Sequence, residues 1–127
     1  MGKDEFFKGE IEKASDFKFG ENVAKVFDDM VNRSVPYYGE IQRMMAELAA
    51  DHAKEGADVY DLGCSTGTTM IGMDSMVNPD IRFVGIDDSQ EMLDKCKSKL
   101  MEIGFSRDYE LRCADLNQGV KISNASV

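Results

Sequence analysis

Apolar residues recur along this chain with two different periods, and the point where one gives way to the other divides it. From Glu21 onward, Val23, Val26, Phe27, Met30 and Val31 fall at i, i+3, i+4, i+7 and i+8, the single apolar stripe of a helix. The stretch RSVPYY interrupts that stripe, because Pro36 disfavours helical backbone at Val35. Ile41, Met44, Met45 and Leu48 restart a helical period that runs to about Lys54, with Gly56 as its stop. After Gly56 the pattern shortens. ADVYDL reads as a strand, a glycine turn follows, an apolar segment carries Met70, Ile71 and Met73, and IRFVGI reads as a second strand. DSQEMLDKCKSKLMEIG then places Met92, Leu93, Cys96, Leu100 and Ile103 on one helical face, capped by Asp88 or Ser89 and closed by Gly104. Asp88 with Glu91 three positions on has the form of a capping box. YELRC is a third strand.

Strand, helix, strand, helix, strand predicts an α/β unit with a parallel sheet and right-handed crossovers, and the short apolar run IRFVGI predicts a strand covered on both faces. The chain therefore divides into an arm over 1–20, a helical cap segment over 21–55 and an α/β unit over 56–127. The arm holds charges and Phe6, Phe7, Phe17 and Phe19 without a sustained period, so little regular structure is expected there. At 127 residues the chain is long enough for one core and too short for two ordinary ones.

Composition removes several kinds of function. Nothing in the sequence spans a membrane, since the apolar runs are only a few residues long. MGKDEFFKGEIEK lacks the apolar core of a signal peptide, so the expected location is the cytoplasm. A formal net charge of -9 repels phosphate backbones, which argues against direct binding of nucleic acid. Cys64, Cys96 and Cys113 are far apart and in no CxxC spacing, so they read as reduced, mostly packed thiols, with neither a disulfide framework nor a metal site expected. His52 is the one histidine and falls in a helical pattern, which leaves no partner for serine or cysteine nucleophiles. Met44, Met45, Met73 and Met92, at helical spacing, read as core.

Candidate chemistry gathers in VYDLGCSTGTTM. Ligands of parallel sheets bind beyond the carboxyl ends of the strands, and Gly63 and Gly67 lie in the first strand-to-helix turn. Glycine there permits positive φ and lets backbone amides come close to a ligand, with the following helix N-terminus facing the site. No lysine follows Gly67, so this is not a triphosphate loop. Ser65 and Thr68 occupy the second and third glycine positions of a dinucleotide fingerprint, so that reading fails too. What stands is D-x-G-x-x-x-G, from Asp61 through Gly63 to Gly67, with two further acids at strand ends: Asp87 in VGIDDS and Asp115 in CADL. A carboxylate such as Asp87 can accept two hydroxyl protons at once. Acids at strand ends also serve as plain loop caps, but all three strands here end on one.

D-x-G-x-x-x-G after a strand resembles the first motif of the class I S-adenosylmethionine-dependent methyltransferases. The run from Asp16 onward, with RSVPYY, VYDLGCSTGTT, GIDDSQEML and CADL, is similar to the carboxy-S-adenosyl-L-methionine synthase family. The resemblance implies a Rossmann-like fold of which this chain holds the first half, and a reaction of S-adenosylmethionine with prephenate that serves modification of the tRNA wobble uridine. It implies that Tyr38, Asp61, Gly63, Cys64, Ser65, Gly67, Asp87, Asp88, Asp115 and Leu116 contact S-adenosylmethionine, its carboxylated form or S-adenosylhomocysteine. Tyr37 stands where the family usually has glycine, and Asp28 where it often has proline. ISNASV would just enter the fourth strand, the one that covers the first, and the family continues beyond the position of Val127 with an asparagine after that strand and a later carboxylate-holding arginine. On that basis strand one is expected to have an unpaired edge, and the chain to be an incomplete enzyme that forms a homo-oligomer. A methyltransferase with another small acceptor, or a non-catalytic remnant acting by self-association, are the alternatives.

Overall fold

The structure, a computed structural model, describes residues 21–127. The expected arm over 1–20, and the side chains of Val23 and Phe27 on the first predicted stripe, lie outside the described residues. Two helices, α1 (Glu21–Ser34) and α2 (Tyr38–His52), precede an alternation of β1 (Val59–Leu62), α3 (Thr68–Asp74), β2 (Phe83–Asp87), α4 (Gln90–Glu102) and β3 (Tyr109–Cys113). A single 3-10 turn, Leu116–Gln118, follows β3. None of these helices is long and apolar enough to cross a membrane.

The three strands are parallel in the order β1-β2-β3, with Val59 opposite Phe83 and Phe83 opposite Tyr109. Central position explains the composition of β2, whose Phe83, Val84 and Ile86 are fully buried, whereas every residue of β3 except exposed Cys113 is half-buried. Gly85 is required in β2, since a Cβ there would lie 2.9 Å from Cys64 Sγ and 3.0 Å from Met70 Sδ. At the amino ends of the strands Arg82 joins Asp58 (2.9 Å) to Glu110 (3.2 Å), tying β1 to β3 across β2.

α4 follows its predicted stripe: Met92, Leu93, Cys96 and Leu100 are buried. Its cap is Ser89, whose hydroxyl accepts from Met92 N–H at 3.2 Å, so the capping box from Asp88 does not form. Gly104 ends the helix at φ 74°, and Phe105 N–H reaches back to Leu100 carbonyl. Ile103 is the C-cap, one residue past the helix, and is exposed.

α2 corrects the predicted stripe. Ile41, Met44 and Leu48 face outward, Met44 at 53% exposure, while Ala46 and Ala49 are buried. The buried seam is made of small side chains, which lets α2 approach α3 closely, and the larger residues are turned away. Met44 is therefore not core; Met73 and Met92 are. Among the cysteines, Cys64 and Cys96 are packed but Cys113 is exposed.

The outer edge of β1 also differs from expectation. Residues 124–127 run parallel beside it: Asp58 N–H bonds Asn124 carbonyl at 2.7 Å, Ser126 N–H bonds Asp58 carbonyl at 2.9 Å, and Tyr60 N–H bonds Val127 carbonyl at 2.9 Å. The Tyr60 hydroxyl adds a bond to Ser123 carbonyl at 2.9 Å. The backbone donors of β1 are thus not free along its length, because ISNASV already turns back onto this edge.

Candidate functional site

The carboxyl ends of β1 and β2 and the loop after β1 form one corner. The loop is wound tightly, with Gly63 at φ 78°, Ser65 at φ 53° and Gly67 at φ 88°, three left-handed residues in five. For Ser65 this backbone costs about 1–2 kcal/mol, and it is held there by Ser65 N–H donating to Asp87 Oδ2 at 2.9 Å. Gly67 has no alternative: it is buried, and a Cβ would lie 2.6 Å from Cys96 Sγ. Gly63 is different, with open space where a Cβ would be.

The amides of this loop do not form the open cradle expected of them. Gly63 and Cys64 N–H both donate to Ile86 carbonyl, at 2.7 and 2.9 Å, and Gly67 N–H donates to Cys64 carbonyl at 2.9 Å. These amides are taken up by Ile86 and Asp87 of β2 and by Cys64 of the loop itself, so they hold the loop against the sheet.

Two hollows meet at Gly63. The smaller, of about 140 Å³, is lined by Gly63, Cys64, Ser65, Thr66, Thr68 and Thr69 below and by Asp28, Val31 and Tyr38 above. The larger, of about 260 Å³, is lined by Gly63, Asp87, Asp88, Ala114, Asp115, Leu116 and Asn117. Tyr38, Gly63, Cys64, Ser65, Asp87, Asp88, Asp115 and Leu116 therefore border the groove that these two adjoining hollows make at Gly63, while Asp61 and Gly67 line neither hollow. Gly67 lies beneath the loop as packing. Val31, Thr66 and Asn117 were not singled out as site residues from the sequence, and Asp28 was named only as a departure from the family; the helical stripe through Val31 was the one further hint.

Each acid has a distinct setting. Asp87 accepts from Ser65 N–H with one oxygen and from Ser89 N–H with the other, at 2.9 and 3.0 Å, which fixes the plane of its carboxylate and leaves each oxygen a further lone pair. Asp115 accepts from Asn117 N–H at 2.9 Å and caps the 3-10 turn, so its loop-cap role is real even though it borders the groove. Asp61 Oδ2 is buried with no hydrogen-bond partner among the described residues. Burial, and then the charge of Asp87, push the Asp61 carboxyl up to about 6.

Above the groove, Tyr38 opens α2 and follows Tyr37, which is left-handed at φ 56° and 82% exposed. Glycine would take that backbone without strain, which gives the departure at Tyr37 a physical meaning. Burial, then Asp28 and Asp61, hold the Tyr38 phenol above its usual value, so it stays a hydrogen-bond donor. The Cys64 thiol turns into the core at 4% exposure, and a hydrogen bond to Cys96 together with burial pushes it up, so it is no nucleophile.

The setting of Asp61 carries a test. A carboxyl that holds its proton more tightly when folded stabilises the fold below about pH 4, and that contribution is lost as pH rises through about 6. Asp61→Asn is therefore expected to gain about 2–3 kcal/mol relative to wild type between pH 4 and pH 7.5. Urea denaturation of both proteins at the two pH values checks it, and a pH-independent difference would remove the buried, unpaired carboxyl from the account.

With this geometry established, similarity to known proteins can be placed on it. The methyltransferase domain family matches residues 53–126. Over its whole length the chain is 52% identical to a carboxy-S-adenosyl-L-methionine synthase of Methylococcus capsulatus, covering 53% of that relative. It is 38% identical to one of Actinobacillus pleuropneumoniae, again over the whole chain and 53% of the relative. The chain spans about half the length of the curated relatives it matches. Among solved structures, an S-adenosyl-L-methionine-dependent methyltransferase from Methanococcus maripaludis superimposes with a TM-score of 0.64 at 16% identity, over 86% of this chain and 48% of that one, which establishes the shared fold.

Proposed function

This chain belongs to the methyltransferase domain family, and on that premise we propose that it is the donor-binding portion of a carboxy-S-adenosyl-L-methionine synthase. In that reaction S-adenosylmethionine and prephenate give carboxy-S-adenosylmethionine, phenylpyruvate and water. The observation that carries the reading is likeness to proteins of that name along the entire chain, cap segment included, at 52% identity. The methyltransferase domain match alone begins only at residue 53.

The family's cofactor is S-adenosylmethionine, and the groove suits it. The molecule is elongated and carries a sulfonium and an ammonium, and the two hollows adjoin at Gly63 and are lined by Asp28, Asp87, Asp88 and Asp115. In this reading the larger hollow takes the adenosine: Asp87 accepts from the two ribose hydroxyls, and Asp88, Asp115 and Leu116 border the base. The smaller hollow takes the methionine part under Tyr38, beside Cys64 and Ser65. The unpartnered oxygen of Asp61 supports a cationic ligand, since a buried carboxylate without a donor is otherwise unfavourable. Bound there, the cofactor supplies an activated carbon on its sulfonium. The chain's own part is to orient it and to exclude water from it.

The second substrate, in this proposal, is the small molecule prephenate, which gives up a carboxyl group, the setting is the cytoplasm, and the product is passed on for tRNA modification without the nucleic acid meeting this chain. The net charge of -9 supports that last point. Homo-oligomer formation belongs to the same proposal. The test is calorimetric titration with S-adenosylhomocysteine, with mass spectrometry for carboxy-S-adenosylmethionine after addition of S-adenosylmethionine and prephenate. Binding is expected. A prephenate-dependent product supports the full reading, methyl transfer to another acceptor favours an ordinary methyltransferase, and absence of binding overturns the donor site.

A further inference from the structure

Four side chains, from α1, α4, the loop and the start of α3, converge beside the smaller hollow. Lys99, in the last turn of α4, directs its ammonium at Asp28 Oδ2 of α1 (3.1 Å), at Thr66 Oγ1 of the loop (3.3 Å) and at Thr68 Oγ1 at the start of α3 (3.1 Å). The Thr66 hydroxyl in turn donates to Asp28 Oδ1. All three ammonium donors and both carboxylate oxygens are thereby used. A cation also suits the C-terminal turn of α4 on electrostatic grounds. Thr66 is 1% exposed, so one member of the cluster is fixed in the core, whereas Asp28 and Lys99 are partly open to solvent at 38% and 31%.

Position gives the cluster its significance. Asp28 and Val31 of α1 form the upper wall of the smaller hollow with Tyr38, and Thr66 and Thr68 belong to its floor. The ion pair thus joins wall to floor. Resting on the reading of this groove as the donor site, we propose that Asp28 and Lys99 are positioning residues: their ion pair clasps α1 to the cofactor loop and keeps the wall closed over the methionine end of S-adenosylmethionine. A partly exposed pair contributes little to global stability, so its effect belongs in local opening of α1 and in how long a ligand stays.

The experiment uses Asp28→Asn and Lys99→Gln, with Lys97→Gln on the exposed face of α4 as control and Lys99→Arg to restore the charge. Hydrogen exchange of α1 amides is followed without ligand, and S-adenosylhomocysteine release by rapid displacement. Both uncharged variants are expected to exchange faster across α1 alone and to release the ligand about five- to tenfold faster. The control should match wild type, and Lys99→Arg should recover most of the slow release. Unchanged exchange in α1 overturns the clasp, and faster exchange with unchanged release overturns its role in holding ligand. Wild-type protein that takes up no S-adenosylhomocysteine overturns the donor-site reading itself, and is told apart because it needs no variant.

Discussion

In calorimetric titration with S-adenosylhomocysteine, Asp87→Ala is expected to bind at least about a hundredfold more weakly than wild type. Two hydrogen bonds from ribose hydroxyls to a charged acceptor contribute about 1.5–3 kcal/mol each. The carboxylate also does a second task, because it holds Ser65 N–H at 2.9 Å and so fixes the loop that forms the floor of the adjoining hollow. Asp87→Asn should fall between the two proteins. It keeps the shape, but one of its two polar atoms becomes a donor facing either Ser65 N–H or Ser89 N–H, both already donors. Circular dichroism of the two variants should match wild type. Equal affinity of Asp87→Ala and wild type would refute the ribose assignment and leave Asp87 as a loop fastener.

The largest expected loss of stability lies far from the groove. Arg107 has a side chain only 1% exposed, yet it is charged. Its guanidinium donates to the Asp74 carboxylate at 2.9 Å and to the carbonyls of Asn78, Ile81, Asp74 and Val77 at 2.7 to 3.0 Å, and lies 4.0 Å over the ring of Phe83. It collects four carbonyls between the end of α3 and the start of β2, one of which, that of Asn78, also accepts from Ile81 N–H. Arg107→Ala removes a donor from four carbonyls and one carboxylate and opens a cavity against Phe83. It should destabilise the fold by about 3–5 kcal/mol, a large part of what a domain this size possesses. Arg107→Lys should recover only a part, since three donors on a flexible stem cannot meet five acceptors. Urea denaturation measures this, and a change below about 0.5 kcal/mol, the range of an ordinary surface substitution, would show that the carbonyls find water instead.

Periodicity carried the backbone well where burial is one-sided. α4 reads plainly because its stripe of Met92, Leu93, Cys96 and Leu100 must face the sheet, and β2 reads plainly because Phe83, Val84 and Ile86 are covered on both faces. α2 misled for the complementary reason: its seam is Ala46 and Ala49, and small residues carry a weak hydrophobic signal while exposed Met44 and Leu48 carry a strong one. The corner formed by Gly63 and Asp87 could be anticipated because each closes a strand of a parallel sheet, where topology alone brings them together. Arg107 and the Asp28, Thr66 and Lys99 cluster could not. A buried arginine in GFSRDY and a lysine in the last turn of a helix look like surface residues until distant parts of the chain are in place. ISNASV is expected only to enter a fourth strand; that residues 124–127 already pair with β1 could not be read from Ile122 and Val127 alone, with no alternation between them.

That last pairing bears on the order in which the fold is assembled. β2 and β3 are joined by a short crossover, and α3 and α4 are local, so these parts can form from neighbouring sequence. Asp58 and Ser126 are bonded 68 positions apart. Closing so long a loop carries an entropic penalty with only a few backbone bonds in return, and distant contacts of this kind slow folding. During synthesis from the N-terminus, β1 emerges early but waits for almost the whole α/β unit before its outer edge is covered. Until then the outer edge of the strand that leads into the glycine loop stays open, while its register and the loop are already held from the inner side by β2, through Ile86 and Asp87.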